Sequence, residues 1–325
     1  MSGGEIEISI VILSWNTLDI TTDCVESLLK FPPSRPWEVI LIDNASSDGS
    51  EKILPEKYGS HPNFTVILNE KNLGFTGGNN QGIEVAQGNI LILLNSDIIL
   101  LDDSIVKTVD FLKSDDKYGV AGPLLVHDDG TPTTSFGFFP DFSSLFSGAF
   151  LPGSVGGLKR RALGVIPDDS MTEPLEIDYV SGAAFFIKRE VIEKTGMFDA
   201  ETFFAYFEET DWCWRIKKAG YKVMFFPGAK IVHLEGKSFE RMTGHRRMRL
   251  YDSAKKFFRK HYSPPLLWWY MFCTVLGSIL KVAYFGLRIM LQPSGKQKYL
   301  PHYHWNAFVF RLWAKGLGLA REARE

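Results

Sequence analysis

The chain alternates nearly continuous apolar runs with longer amphipathic segments. Ile8–Leu13, Trp37–Asp43, Phe64–Leu68 and Ile90–Leu94 are runs of the first kind, the pattern of strands covered on both faces. Leu18–Lys30 carries Cys24, Val25, Leu28 and Leu29 at helical spacing, and the pattern predicts further helices over residues 79–87, 102–113 and 190–195. Strand and helix in alternation predict an α/β fold, a Rossmann-like, mostly parallel sheet flanked by helices. Beyond the fourth strand the pattern predicts a short strand over 118–121 and a strand over 177–188 kinked at Ser181-Gly182-Ala183. A helix over 208–220 and two separate strands, Val223–Phe226 and Lys230–Val232, follow. Residues 130–174 are rich in Gly, Pro, Ser and Phe without a period, which predicts a loop-rich lid or acceptor-facing insert. The division expected is one domain over 1–240, carrying that insert (130–175), and a helical region over 241–325.

Chemistry is expected where strands end, because ligands of open α/β sheets gather outside the carboxyl ends of the strands. Ser14-Trp15-Asn16, Asp43 with the polar turn 44–50, and Asn95-Ser96-Asp97 stand at three such ends. Ser47 or Asp48 of that turn can cap the next helix. Strand alternation aims Asn95 and Asp97 into the crevice and turns Ser96 away. Two oxygen-bearing side chains one residue apart suit a hard divalent cation also held by substrate phosphates. Residues 69–82 include four glycines within nine positions, which predicts close backbone approach and N–H groups aimed at an anion from a helix N-terminus. The dinucleotide-binding fingerprint is not met, because these glycines do not follow the first strand. Glu208, Glu209 and Asp211 crowd one helix start behind Phe203-Phe204-Ala205-Tyr206-Phe207. Their mutual repulsion is expected to raise carboxyl pKa values into the range of a general base. His233 follows the last strand and becomes functional only if the fold brings it beside Asp97.

Composition adds limits. A chain of 325 residues with formal net charge −2 has no overall attraction for nucleic acid. Its basic surface is local, with eight Lys or Arg against one acid over 241–260. Three scattered cysteines fit a reduced compartment and small buried roles. The first residues lack a basic and apolar leader, an argument against secretion. Residues 266–280 run fifteen positions without a charge, short of the roughly 20 a spanning helix needs. Continued as a helix, they place Thr274, Gly277, Ser278, Lys281 and Arg288 on one stripe. That amphipathic pattern predicts a helix lying in a bilayer interface, with packing on the protein body or on a second copy as the alternatives. The expected location is cytoplasmic, peripheral on the inner face of the cell membrane.

Taken in order, these motifs resemble those of the inverting glycosyltransferases of family two, which have the GT-A fold with its mixed sheet, and particularly the bacterial rhamnosyltransferase-like branch. The resemblance covers about Ile8 to Ser238. It rests on VILSWN, DNASSDGS, NLGFTGGNNQG, NSD, YFEETDWCWR and HLEGKS. It implies that Ser14, Asn16, Asp43 and Asn44 hold the nucleotide base and ribose, and that Asn79 positions the sugar nucleotide. Asn95 and Ser96 are counted with the same contacts. Asp97, helped by Asn95 and joined by His233, would hold Mg²⁺ or Mn²⁺ on the donor diphosphate. Glu209 stands where the family has the Asp of a Glu-Asp pair, so the base is Glu209 or Asp211. Asn95 replaces the first Asp of a full DxD, leaving a site with one fewer charge. The implied partners are a nucleotide-diphosphate sugar donor and a saccharide acceptor, lipid-linked if the membrane reading holds. The rival readings are a nucleotide-sugar-binding module without catalysis and a nucleotidyltransferase.

Overall fold

Because Ile90–Leu94 is apolar at every position, both faces of that strand must be covered, and the sheet is assembled around it. The computed structural model describes residues 5–150, 164–168, 170–234 and 243–292, with 297, 299–300, 303–304, 306–307 and 309–311. Residues 235–238 of the HLEGKS run, and 151–163 of the insert, lie outside the described residues. In chain order the elements are β1 (Ile8–Ser14), α1 (Leu18–Lys30), β2 (Trp37–Asp43), α2 (Ser50–Tyr58), β3 (Phe64–Leu68), α3 (Gly74–Val85), β4 (Ile90–Asn95) and β5 (Ile98–Ile99). They continue with α4 (Ser104–Lys113), β6 (Tyr118–Val126), β7 (Phe136–Gly137), α5 (Phe142–Phe150), β8 (Leu175–Ile177), β9 (Tyr179–Val180) and β10 (Ala184–Lys188). The last are α6 (Arg189–Thr195), α7 (Glu208–Lys218), β11 (Lys222–His233), α8 (Thr243–His261) and α9 (Pro264–Leu291).

The principal sheet runs β3-β2-β1-β4-β10-β6-β11-β5, with β8 also on β11. β3, β2, β1 and β4 are parallel, and β6 and β11 share their direction; β10, β5 and β8 oppose it. Apolar side chains alternate to both faces. Ile8, Ile10 and Ile12 pack with Cys24, Val25 and Leu28 of α1 and with Ile105, Val109 and Leu112 of α4. Val11, Leu91 and Leu93 pack on the opposite face with Ile83 of α3, Val191 of α6, and Trp212 and Ile216 of α7.

Four expectations change. Helix α3 starts at Gly74, not 79, since the first-turn N–H groups find acceptors elsewhere in the fold and outweigh the poor propensity of glycine. The strand expected over 177–188 divides into β8, β9 and β10, the last lying antiparallel between β4 and β6. The two strands expected near the end of the sheet are one strand, β11, with its register shifted between Phe226 and Lys230. In the 130–174 insert, β7 pairs with β9 and α5 is helical.

The chain divides into one unit of Met1–Phe139 with Leu163–Ala254 and another of Pro140–Ala162 with Lys255–Glu325, so the boundary falls within α8 rather than at 240. In the second unit Trp269 Nε1 of α9 donates to the Phe142 carbonyl of α5 at 3.0 Å, and the Trp269 and Phe146 rings are stacked. α9 runs unbroken through Lys281 and Arg288 for 28 residues and is long and apolar enough to cross a membrane by length and composition. Its full length thus includes the expected continuation through Arg288 and exceeds the fifteen uncharged residues of 266–280, which alone fall short of a span.

α3 lies close on β1 because its contact face lacks side chains. A Cβ at Gly78 would come within 2.4 Å of Leu13 Cδ1, and one at Gly82 within 2.4 Å of Val11 Cγ1. Gly82→Ala is expected to cost about 1–3 kcal/mol by overpacking, more than the ~1 kcal/mol that helix propensity returns. Urea unfolding of the variant checks this; unchanged stability would show that the close approach is not needed.

Candidate active site

Parallel register sets the floor of the site. Ser14 lies beside Asp43 and Leu13 beside Asn95, so β1, β2 and β4 end on one line. Ser14 is fully buried, its Oγ 2.8 Å from Thr21 Oγ1 and 3.3 Å from Thr17 Oγ1. Thr17 Oγ1 is in turn 3.3 Å from Ser96 Oγ, and these hydroxyls tie the ends of β1 and β4 together. Asn16 is exposed and left-handed (φ 54°), a conformation asparagine tolerates. Its Oδ1 accepts the Ser47 N–H at 2.7 Å, and its N–H donates to Ser46 Oγ at 2.8 Å. Asp48 Oδ1 accepts the Ser50 N–H at the start of α2 while its Oδ2 accepts the Leu18 N–H of α1. The expected cap is therefore shared between two helices, with Gly49 at the N-cap of α2. Asp43 Oδ2 accepts the Ser46 N–H at 3.1 Å. Its buried Oδ1 has no hydrogen-bond partner among the described residues, a cost that a ligand donor would relieve.

The second wall is built by strand pairing. β5 pairs antiparallel with the end of β11, placing His233 opposite Ile98, and the Leu234 N–H donates to the Asp97 carbonyl at 2.9 Å. His233 Nε2 then stands 3.3 Å from Asp97 Oδ1, both side chains largely buried. Among the described residues no third His, Cys, Asp or Glu joins them. Half-buried Asn95 donates its N–H to the Ala183 carbonyl at 2.9 Å. On the other side of that turn, a Cβ at Gly182 would stand 3.7 Å from Phe75 Cζ and 4.0 Å from Glu209 Cβ. One three-residue turn thus bonds the Asn95-Ser96-Asp97 segment and lies against Glu209.

The glycine-rich segment does something other than expected. The Leu73 N–H donates to Asn44 Oδ1 at 3.0 Å and the Gly74 N–H to Asn72 Oδ1 at 2.7 Å. The Phe75 N–H donates to the Phe204 carbonyl at 3.0 Å, and Thr76 Oγ1 to the Phe203 carbonyl at 2.5 Å. These donors are spent on the protein, so the expected anion cradle gives way to a clasp holding α3 against the segment before α7. Asn44 works in the same clasp. Its Nδ2 reaches Asn72 Oδ1 and the Gly74 carbonyl, and its Oδ1 also accepts from Asn69. Asn79 is buried and donates to the Phe75 carbonyl of its own helix. As placed, Ser14, Asn44, Asn79 and Ser96 position their neighbours, whereas Asn16, Asp43, Asn95, Asp97 and His233 bring polar atoms to the strand ends.

Helix α7 carries the acids. Tyr206 and Phe207 enter it in left-handed conformation (φ 68° and 65°), strain that persists only where the surroundings fix the backbone. Asp211 is fully buried and accepts Arg215 Nε at 3.0 Å, while Arg215 also donates to the carbonyls of Thr195 and Met197. Among the described residues no such cation pairs with Glu208 or Glu209. Burial pushes the Glu209 carboxyl up to about 7, and burial with the neighbouring Glu209 charge holds Glu208 well above the ordinary range. The expected elevation of the acids is thus chiefly desolvation, and Asp211 stands apart as half of an ion pair.

A family model, glycosyl transferase family 2, matches residues 9–196, more than half of the chain. The chain belongs to that family. It is 25% identical over 296 residues to the N-acetylglucosaminyl-diphospho-decaprenol L-rhamnosyltransferase of Mycobacterium tuberculosis, covering 83% of this chain and 90% of the relative. A putative teichuronic acid biosynthesis glycosyltransferase of Bacillus subtilis is 31% identical over 136 residues, 41% of this chain and 53% of its own length. Among solved structures, a mannosyltransferase from Pyrobaculum calidifontis in complex with GDP-mannose and Mn²⁺ superposes with TM-score 0.59 at 14% identity, covering 98% of this chain and 89% of that one. GalNAc-T7 with UDP, GalNAc and Mn²⁺ gives TM-score 0.56 at 20% identity over 70% and 43% of the two chains. The fold is GT-A, and this family 2 member is a glycosyltransferase whose relatives act in cell-surface glycan synthesis.

Sequence reasoning gave no role to Phe75, which lies against Gly182, and noted Ser181-Gly182-Ala183 only as a kink and Trp15, 40% exposed beside Asn16, only as part of a strand end. For Trp15 the signal was present, a large aromatic at a strand end; for Gly182 only the fold supplies it. A buried carboxyl with an elevated pKa keeps, in the folded protein, a proton that the unfolded chain has released, so stability falls as pH rises through about 4.5. Glu208→Gln removes that penalty. Its melting temperature is expected to exceed that of the unsubstituted protein by a margin that widens from about pH 5 to about pH 8. A constant margin in paired melts would mean that Glu208 is not held elevated.

Proposed function

We propose that this glycosyltransferase transfers a sugar, with inversion, from a nucleotide-diphosphate donor (dTDP-rhamnose or a UDP-hexose) to a lipid-linked saccharide. The observation that carries the reading is the turn Ser181-Gly182-Ala183, hydrogen-bonded to Asn95 near the Asp97–His233 pair and packed against Glu209. The rhamnosyltransferase named for an N-acetylglucosaminyl-diphospho-decaprenol acceptor supports the donor and acceptor classes by its length of similarity.

Asn16 and the free Oδ1 of Asp43 receive the base and ribose, with Ser14 and Asn44 fixing them from behind. Asn79 and Ser96 hold α3 and the end of β4 in place for the sugar nucleotide, and Asn95 faces its diphosphate. One carboxylate oxygen and one imidazole nitrogen, with no third protein ligand among the described residues, fit a Mg²⁺ or Mn²⁺ ion that completes its shell with diphosphate oxygens and water. When bound, such an ion neutralises the departing diphosphate. Glu209 takes the acceptor hydroxyl proton, and the freed oxygen bonds to the anomeric carbon. The bond from that carbon to the diphosphate breaks, its electron pair leaving with the nucleotide. Asp211 is the weaker candidate base, since its carboxylate is committed to Arg215. The exposed Trp268, Phe272, Leu280, Leu287 and Met290 of α9 fit contact with a lipid surface, which would hold the enzyme on the cytoplasmic face beside a lipid-linked acceptor.

Asp97→Ala is expected to abolish transfer together with any response to Mn²⁺, and Glu209→Gln to keep donor binding by thermal shift while lowering kcat about 10²–10⁴-fold. Near-normal turnover in Glu209→Gln would move the base to Asp211 or end the mechanism. Because Glu209 works ionised, kcat/KM is expected to rise with pH and level off above about 7; a pH profile flat from about 5 to 8 contradicts that assignment.

A further inference from the structure

The chain enters α7, the helix of the proposed base, through residues 203–207, and the carbonyls of that approach are held from two other helices. From α3, Thr76 Oγ1 donates to the Phe203 carbonyl at 2.5 Å and the Phe75 N–H to the Phe204 carbonyl at 3.0 Å. The next carbonyl, that of Ala205, is held from α8, where Ser253 Oγ donates to it at 2.9 Å. A serine inside a helix ordinarily returns its proton to the carbonyl one turn back. Buried Ser253 spends it instead on a segment 48 residues away. One turn earlier on the same face of α8, the exposed Arg249 guanidinium lies over the Phe204 ring, 4.6 Å from its centroid. That ring also closes on α3, since a Cβ at Gly74 would come within 2.6 Å of Phe204 Cδ2. Ser253 and Arg249 belong to the same compact unit as α3 and α7.

Ala205 directly precedes Tyr206 and Phe207, whose left-handed backbone (φ 68° and 65°) persists only where its surroundings fix it. Phe207 stands at the N-cap of α7 and supplies no capping oxygen. The turn is therefore pinned by the Ser253 bond to Ala205 on one side and by the Asp211 N–H on the Phe207 carbonyl, 2.8 Å, on the other. We propose that Ser253, with Arg249 beside it, is a positioning residue for Glu209: α8 fixes the Ala205 peptide, and the left-handed pair carries that placement into the first turn of α7, where the base carboxylate must meet the acceptor hydroxyl. The inference rests on the reading of Glu209 as base and deepens it. It gives a part in transfer to α8, which lies beyond residues 9–196 of the family match. A misplacement of about 1 Å at a reacting group can cost ~10²-fold in rate, so one backbone bond is enough to matter.

Turnover measured well below each variant's melting temperature separates positioning from stability. Ser253→Ala is expected to lower kcat about tenfold with the donor KM unchanged, and Ser253→Thr, which keeps the hydroxyl, to restore it. A lower melting temperature with kcat intact would mean that the bond serves stability alone and overturns the proposal. So does a rise in donor KM in place of the fall in kcat, or a Ser253→Thr variant as slow as Ser253→Ala at equal melting temperature. Should Ser253→Ala not fold, Arg249→Met at its exposed position carries the test: kcat is expected to fall about threefold with donor KM unchanged, and no fall overturns the proposal. The route through Glu209 is read in a double variant. Added to Glu209→Gln, Ser253→Ala is expected to cost much less than it costs alone. Equal costs, with Glu209→Gln itself slow, overturn the positioning role and leave the base reading standing; near-normal turnover in Glu209→Gln ends the base reading first and this inference with it.

Discussion

The pairing of β10 with β4 is the constraint on which the site depends. β10 enters the sheet against the direction of its neighbour, matching Ala184 with Leu94 and ending β4 with a hydrogen bond from Asn95 to Ala183. That bond brings the Ser181-Gly182-Ala183 turn to the tip of β4. Because Gly182 has no side chain, Phe75 and Glu209 close in on the turn from the other side. Residues close to position 95 and residues close to position 209 therefore meet across one short piece of backbone.

A second pairing, of only two residues, completes the edge. β5 is long enough for the pairs Val232 with Ile99 and His233 with Ile98, and those suffice to bring an imidazole against the Asp97 carboxylate. The backbone bond from Leu234 to Asp97 fixes the same alignment without using either side chain. Both polar groups are thus placed by main chain.

Burial is used differently on α7. Asp211 is buried with a cation, and Arg215 is held in turn by two carbonyls, so that pair locks the helix onto the segment at Thr195–Met197. Glu208 is buried and Glu209 half-buried, with no cation paired to either among the described residues, at the N-terminal end of a helix whose dipole favours negative charge. Three acids in four residues thus serve two purposes, and the difference lies in which of them meets a cation. The clasp at the start of α3 follows a similar economy. Backbone donors that a glycine-rich helix start offers to an anion are satisfied by Phe204, Asn72 and Asn44 instead, and the glycines let the helix lie on β1.

The sequence by itself determined the parallel half of the sheet, the helices α1 and α4, and the polar strand ends at Ser14, Asp43 and Asn95. Each of these follows from local periodicity and from where an apolar run stops. It also singled out Asp97, His233, Glu208, Glu209 and Asp211 as chemically unusual, since charged residues beside apolar runs are visible in one dimension. Only the tertiary structure decided that β10 lies antiparallel beside β4, that β11 is one bulged strand, and that α3 begins at Gly74. It likewise decided that Asp211 pairs with Arg215 while Glu208 and Glu209, among the described residues, meet no cation. The physical reason is the same throughout: partners distant in the chain compete for the same donors, acceptors and space, and no local pattern records which partner arrives.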